Sequence, residues 1–366
     1  MHIMSDEYYM LEAIKLGEKG RLTTHPNPWV GAIIVKDGIT IGRGYHHKAG
    51  EPHAEIMAIQ SVTDPSSIKN STLYCTLEPC SHHGRTGPCC EAIMEAGITR
   101  CVIGVNDPDH NVSCRGINYL RGYGIEVTYV CHEEVTKSLE PYLHHRQTGR
   151  PYVVLKMATS IDGKVACEDK SSQWITDVEA RADSHCIRME SQAIIVGSNT
   201  AISDNPRLTV RHTMTNSDDI MQPLRVVIDR RGRLDDYSKY HLFDPESISK
   251  TLIFTENHDA FQWVSSNITI LKKDTWSLTE VLEELGSRGI IQAMVEGGST
   301  LHSSFIEQGL ANTVVLYMGS TMLGSSALSW LTVPLCKTIS DAKFWMLRSV
   351  EKIGNDAKLV YSFMYM

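Results

Sequence analysis

Gly50-Glu51-Pro52-His53-Ala54-Glu55-Ile56-Met57-Ala58-Ile59-Gln60 is followed by Ser71-Thr72-Leu73-Tyr74-Cys75-Thr76-Leu77-Glu78-Pro79-Cys80 and then by Pro88-Cys89-Cys90-Glu91-Ala92-Ile93-Met94-Glu95-Ala96. The first piece reads as a helix over 54–60 and the second as a strand over 71–77. The third reads as a helix over 89–96. One His and two Cys stand at the junctions of these elements. His53, Cys80 and Cys89 supply three ligands for tetrahedral Zn²⁺ and leave the fourth position to water, as catalytic zinc sites do. Such a metal lowers the pKa of that water toward neutrality. Glu55, two residues beyond the His and not itself a ligand, is placed to take the proton and pass it on. A structural zinc site would instead need a fourth protein ligand, for which Cys75, Cys90, His82 and His83 are the nearby candidates.

Outward from this core, strands alternate with helices. An amphipathic helix (Tyr8, Met10, Leu11, Ile14, Leu16) stops at Gly17–Gly20, and Trp29–Val35, Asp37-Gly38 and Ile39–Gly42 read as a β-hairpin. Strands over 101–105 and 125–130 and a helix ending at 122 complete an α/β sandwich. The polar segment Leu143–Pro151 reads as the linker, which divides the chain into residues 1–146 and 147–366. After it the pattern restarts. Strands are expected at 152–157, 193–197, 224–229, 251–255, 291–295 and 314–318, with helices at 177–189, 278–285 and after Gly298. Thr213–Gln222 reads as a polar loop.

The chain has 366 residues, and 35 Lys+Arg against 43 Asp+Glu give a formal charge of −8. That length suits two domains. The acidic balance argues against a nucleic-acid partner, and no apolar run is long enough to span a membrane. The N-terminal residues lack the basic and apolar regions of a secretory signal. Ten scattered Cys without a disulfide framework then point to a reducing, cytoplasmic setting.

Nucleic-acid and nucleoside deaminases usually carry Pro-Cys-x-x-Cys. Here eight residues separate Cys80 from Cys89, and they bring in Arg85, His82 and His83 at the rim. Thr76–Thr86 with Pro88-Cys89, Pro26-Asn27-Pro28-Trp29-Val30-Gly31 and Gly50–Glu55 resemble the deaminase half of the bifunctional deaminase/reductases of riboflavin biosynthesis. The resemblance covers essentially the whole chain. It implies a cytidine-deaminase-like N-terminal domain and a dihydrofolate-reductase-like C-terminal domain. It also implies deamination of 2,5-diamino-6-ribosylamino-4(3H)-pyrimidinone 5′-phosphate, followed by NADPH reduction of the ribosyl chain to ribityl. By motif position, Glu55 is catalytic, and Asn27, His46 and Arg85 contact the pyrimidine and ribose phosphate. Asn27 also reads as a turn residue between prolines, and His46 as a surface His. Two departures are visible: Thr86-Gly87-Pro88-Cys89 stands where the family has Thr-Pro-Pro-Cys, and Cys114 stands where a smaller residue is usual, which reads as a packing difference.

In the second half, Glu296-Gly297-Gly298-Ser299-Thr300-Leu301 ends a strand and opens a helix, a turn that lets a phosphate approach backbone N–H groups. A tight turn with no ligand is the alternative. The pattern is not Gly-x-Gly-x-x-Gly, so a Rossmann domain is not indicated. The resemblance implies NADPH contacts from Ala158, Trp174, Thr200, Asp204, Arg230 and the turn Gly298, Ser299, Thr300, Leu301, His302, Ser303 and Ser304. It implies substrate contacts from Ser172, Arg188, Leu208, Arg211 and Glu296, with the two arginines on the phosphate, although each isolated Arg also reads as a solvated charge. The partner is a small phosphorylated pyrimidine, and a homo-oligomer, dimer or tetramer, is expected. Three other readings stay open: a zinc nucleoside or tRNA deaminase with an unrelated second domain, a reductase with an inactive zinc scaffold, and a ligand-binding module.

Overall fold

The computed structural model describes residues 4–81, 87–109, 114–130, 132–211, 221–234, 236, 239–262 and 266–363. The chain divides into two compact units, Met1–Gly149 and Arg150–Met366. Among the described residues, the first unit holds a five-stranded sheet in the order β2-β1-β3-β4-β5. Its strands are β1 (Gly31–Lys36), β2 (Ile39–Tyr45), β3 (Thr72–Leu77), β4 (Arg100–Val105) and β5 (Glu126–Tyr129). β1 runs antiparallel to β2 and β3, and β3, β4 and β5 are mutually parallel. The helices are α1 (Asp6–Gly17), α2 (Ala54–Gln60), α3 (Cys89–Glu95), α4 (Arg115–Gly122) and α5 (Glu133–Thr148).

Two glycines let the helices lie directly on the strands. A Cβ on Gly31 would fall 1.9 Å from the Ala13 carbonyl of α1, and one on Gly44 would fall 2.3 Å from the Ala58 nitrogen of α2. Gly31 pairs with Tyr45 and Ala32 with Gly44, so α1 and α2 cover opposite faces of the sheet. The buried side of α1 is Tyr9, Met10, Ala13 and Gly17, while Tyr8 is exposed.

Two expectations are corrected here. Most of the proposed linker Leu143–Pro151 is helix, because α5 continues to Thr148 and ends at Gly149, whose φ of +71° suits glycine. The polar run His144–Gln147 conceals a buried stripe of Val135, Leu139, Tyr142 and Leu143 at helical spacing. Cys114, read as a packing residue, is exposed. It precedes α4 with φ +58°, a conformation that glycine adopts without a Cβ penalty.

Among its described residues, the second unit holds a nine-stranded sheet, β11-β10-β9-β8-β12-β6-β13-β16-β15, beside a small β14-β7 pair. The strands are β6 (Tyr152–Thr159), β7 (Lys164–Ala166), β8 (Ala193–Gly197), β9 (Leu224–Ile228), β10 (Thr251–Thr255), β11 (Ile268–Lys272), β12 (Gln292–Val295), β13 (Thr313–Met318), β14 (Leu328–Ser329), β15 (Trp345–Ile353) and β16 (Asp356–Phe363). The large sheet is parallel from β11 through β13, and the hairpin β15–β16 joins it antiparallel. The sequence reading did not include this hairpin. The helices are α6 (Val178–Glu190, capped by Asp177), α7 (Ser198–Asp204), α8 (Leu278–Ser287) and α9 (Ser299–Glu307). Alternation along β6 sends Val153, Leu155 and Met157 into a core with α8 and α9. Tyr152 and Val154 turn the other way, toward Ala180 of α6 and Tyr317. Residues 213–220 of the expected polar loop lie outside the described residues.

Candidate functional site

The first site assembles where three element ends meet. His53 is the cap of α2, Cys80 follows β3, and Cys89 opens α3. Their ligand atoms lie within 4.8 Å of one another. His53 Nδ1 is 3.5 Å from Cys80 Sγ and 3.3 Å from Cys89 Sγ. The Cys89 N–H points at Cys80 Sγ (3.4 Å), a second contact that fixes the sulfur. A hydrogen bond from the Cys89 side chain lowers the Cys80 thiol pKa, with His53 and the Cys89 N–H adding to the effect, and a sulfur so disposed is readily a thiolate ligand. Two sulfurs and one imidazole nitrogen fit zinc. Among the described residues no fourth side chain joins them. Cys90 Sγ turns to the Pro79 and Gly116 carbonyls, and Cys75 is buried within β3. His82, His83 and Arg85 lie outside the described residues.

Glu55 sits in the first turn of α2 with 4% exposure, and burial pushes its carboxyl above the usual carboxylate range. A raised carboxyl pKa suits a group that must both take and give a proton. Beside the cluster, His46 is buried, and its ring lies 5.3 Å from that of His53. Burial pushes the His46 pKa down, so its imidazole is neutral. Its Nδ1 donates to the Pro52 carbonyl (3.1 Å), which leaves Nε2 to accept from the Asn27 amide (3.1 Å). Asn27, His46, His53, Glu55, Cys80 and Cys89 thus share one locale. Glu78, whose role the motif alone did not disclose, accepts from the N–H groups of Cys114, Gly116 and Ile117 and anchors the start of α4.

The second site lies at the carboxyl ends of the parallel strands, where open α/β sheets bind ligands. Arg188 of α6 and Glu296 after β12 form a nearly buried bidentate pair, with Arg188 Nη2 donating to Glu296 Oε2 (2.7 Å). Burial alone would raise the Glu296 carboxyl, but the Arg188 charge holds it down at about 2. The Arg211 guanidinium stands near Arg188 and Arg207, and the Arg211 backbone N–H donates to His185 Nδ1 (3.1 Å). Such a grouping of guanidinium side chains suits a phosphate. Lys156 on β6, which the sequence reading missed, shares this environment with Glu296 and Arg188, and burial pushes its ammonium pKa down. In the sequence it is only one polar position of a strand.

The residues expected at the dinucleotide fall into several groups. Gly298 caps α9 without a side chain, so the first N–H groups of that helix have no side-chain cap. A Cβ on Gly298 would stand 3.4 Å from Thr200 Oγ1, while one on Gly297 would strike Leu301. This bare turn facing Thr200 fits a dinucleotide phosphate. Ser299 donates to the Ser329 carbonyl, Ser303 contacts Thr332, Ser304 donates to the Thr300 carbonyl, and His302 is buried on the Val295 carbonyl. Trp174 is 66% exposed with Arg181 over its ring (4.2 Å), and Ser172 is half-buried near it in sequence. Ala158 packs against the core beside Tyr317. Asp204 is exposed and accepts from Ser203, Arg230 pairs with Glu256, and Leu208 has its side chain in the core.

Fold and site together define a zinc-binding deaminase unit joined to a reductase unit. The sequence profile of the RibD C-terminal domain matches residues 151–359, and that of the cytidine and deoxycytidylate deaminase zinc-binding region matches residues 3–105. The riboflavin biosynthesis protein RibD of Escherichia coli K12 is 37% identical, with 97% of this chain and 99% of that protein covered. Among solved structures, Acinetobacter baumannii RibD is 34% identical with a TM-score of 0.88. A diaminohydroxyphosphoribosylaminopyrimidine deaminase/5-amino-6-(5-phosphoribosylamino)uracil reductase from Thermotoga maritima is also 34% identical, with a TM-score of 0.87. Both alignments cover 98% of this chain and 99% of the other. The chain belongs to the RibD family. It is a bifunctional deaminase and reductase of riboflavin biosynthesis, with zinc and NADPH as its cofactors. Among the described residues no helix is long and apolar enough to cross a membrane.

Proposed function

We propose that residues 1–146 deaminate 2,5-diamino-6-ribosylamino-4(3H)-pyrimidinone 5′-phosphate and that residues 147–366 reduce the ribosyl chain of the product. The observation that carries the first step is the three-ligand cluster beside a buried carboxylic acid. His53, Cys80 and Cys89 would hold zinc, which when bound would supply an activated water. The Glu55 carboxylate would take up a proton there and pass it to the departing amine. Asn27, oriented by the neutral His46, reads the pyrimidine edge, and Arg85 holds the phosphate.

In the second unit, Arg188 and Arg211 take the substrate phosphate, while Glu296 and Lys156 meet the sugar chain together with Ser172 and the backbone of Leu208, whose side chain is in the core. Gly298–Ser304, Ala158, Trp174, Thr200, Asp204 and Arg230 would hold NADPH, which when bound would supply the hydride for C1′ of the ring-opened sugar. The net charge of −8 supports a small-molecule substrate over nucleic acid, and the unpaired cysteines support a cytoplasmic setting. The exposed apolar residues Leu347 and Val350 on edge strand β15 support a homo-oligomer.

The test is an anaerobic assay that follows ammonia release and NADPH oxidation together. With Glu55→Gln, zinc content is expected to stay stoichiometric while ammonia release falls by roughly 100-fold or more. Retained deamination in that variant removes Glu55 from its assigned role.

A further inference from the structure

β9 leads into Asp229-Arg230-Arg231-Gly232-Arg233, which places three guanidinium groups on one turn. The turn is firmly built. Asp229 is fully buried, its carboxylate accepts from the Leu234 N–H (2.9 Å), and its carbonyl accepts from the Gly232 N–H (3.0 Å). Gly232 has φ +67°, and a Cβ there would fall 2.3 Å from Ala260 Cβ. Asn257 donates to the Arg231 carbonyl (3.1 Å), and the Glu256 N–H donates to that of Arg230 (3.0 Å).

The three side chains then diverge. Arg230 turns to Glu256 (3.3 Å) and the Trp276 carbonyl (2.9 Å), so its charge is met. Arg231 is exposed. Arg233 reaches the start of α7, where its Nη2 donates to Ser198 Oγ (2.7 Å) and Asn199 Oδ1 (2.8 Å). Both partners are neutral, so its charge is uncompensated by them. They also occupy the two hydrogens of Nη2, which leaves the donors of Nε and Nη1 for another acceptor. Ser198 and Asn199 immediately precede Thr200, the residue facing the Gly298 cradle.

We infer that Arg233 recognises the 2′-phosphate of NADPH and thereby sets the preference over NADH. A dinucleotide that leaves the Gly298 turn and crosses Thr200 toward the end of β9 brings its adenosine ribose to this turn. A guanidinium already held on two neutral oxygens meets a phosphate with little further ordering. This rests on the reductase reading of the second unit.

The test is an equilibrium titration of the full-length protein with NADPH and with NADH, read by tryptophan fluorescence without turnover. Arg233→Gln is expected to weaken NADPH binding by roughly 10- to 100-fold, the worth of a charge-assisted hydrogen bond. NADH binding should stay within about twofold of its unaltered value on the same reasoning. Equal weakening of both nucleotides would assign Arg233 a merely structural role and overturn the inference, as would unchanged NADPH affinity. If Arg233→Gln does not fold, Arg233→Lys carries the same comparison, because it keeps the charge and loses the fork. In the unaltered protein, 2′,5′-ADP must bind more tightly than 5′-AMP, and equal binding of the two overturns the inference as well. Failure of the unaltered protein to bind either nicotinamide nucleotide would instead fail the reductase reading itself.

Discussion

His302 is 3% exposed on α9, its Nε2 3.4 Å from the Val295 carbonyl, and burial pushes its pKa down to about 4. Lys156 lowers it further, and Glu296 opposes that shift. The folded state keeps this imidazole neutral over a range in which the unfolded chain binds a proton. Its contribution to stability is therefore complete above pH 6.5 and is lost as the pH falls through 4. The loss amounts to roughly 3 kcal/mol at about 1.4 kcal/mol per pKa unit. Thermal midpoints measured from pH 7 to 4 should fall less steeply for His302→Gln than for the unaltered chain. Equal slopes would show that other groups govern acid sensitivity. Single residues also mark how far the sequence could be read. His53, Glu55, Cys80 and Cys89 announce themselves because metal chemistry restricts residue type and spacing within a short stretch. Lys156 does not, because what makes it unusual is its burial, which the fold creates by bringing distant residues such as Arg188 and Glu296 around it.

Helix α2 places His53 and Glu55 and lies on β2 through Gly44, where a Cβ would meet the Ala58 nitrogen at 2.3 Å and the Ala54 carbonyl at 2.4 Å. Backbone cannot yield as a flexible side-chain tip can, so Gly44→Ala must lift the helix. Overpacking of this kind costs about 1–3 kcal/mol. The expected outcome is a lower thermal midpoint together with weaker zinc retention and slower ammonia release, while NADPH affinity is unchanged. Normal zinc retention at a lowered midpoint would show that the cluster does not depend on the seat of α2. Elements with a clear period or cap were legible in advance, such as α2 and the Asp177-capped α6. The tail of α5 was obscured by its polar residues. The β15–β16 hairpin was obscured because β15 exposes Met346, Leu347 and Val350, which blurs the inward–outward alternation of a half-buried strand.

Each unit carries its own sheet and its own buried core, and metal ligands were found only in the first among the described residues. Ligand binding stabilises the folded state by RT ln(1 + [L]/Kd), about 4 kcal/mol when free metal stands 1,000-fold above Kd. Chelation withdraws that contribution from the unit that holds the metal. Treating the protein with a zinc chelator should abolish ammonia release and lower the melting of the deaminase unit. NADPH affinity, and NADPH oxidation when the deaminated ribosylamino intermediate is supplied, should persist. Added zinc should then restore ammonia release. If chelation removed both activities together, the second unit would depend on the metal for its fold or its chemistry, and the assignment of one reaction to each unit would fail. If ammonia release survived chelation with zinc demonstrably gone, the His53–Cys80–Cys89 cluster would not be the seat of the hydrolysis. The two failures differ in which activity is measured, so a single preparation assayed for both reactions separates them.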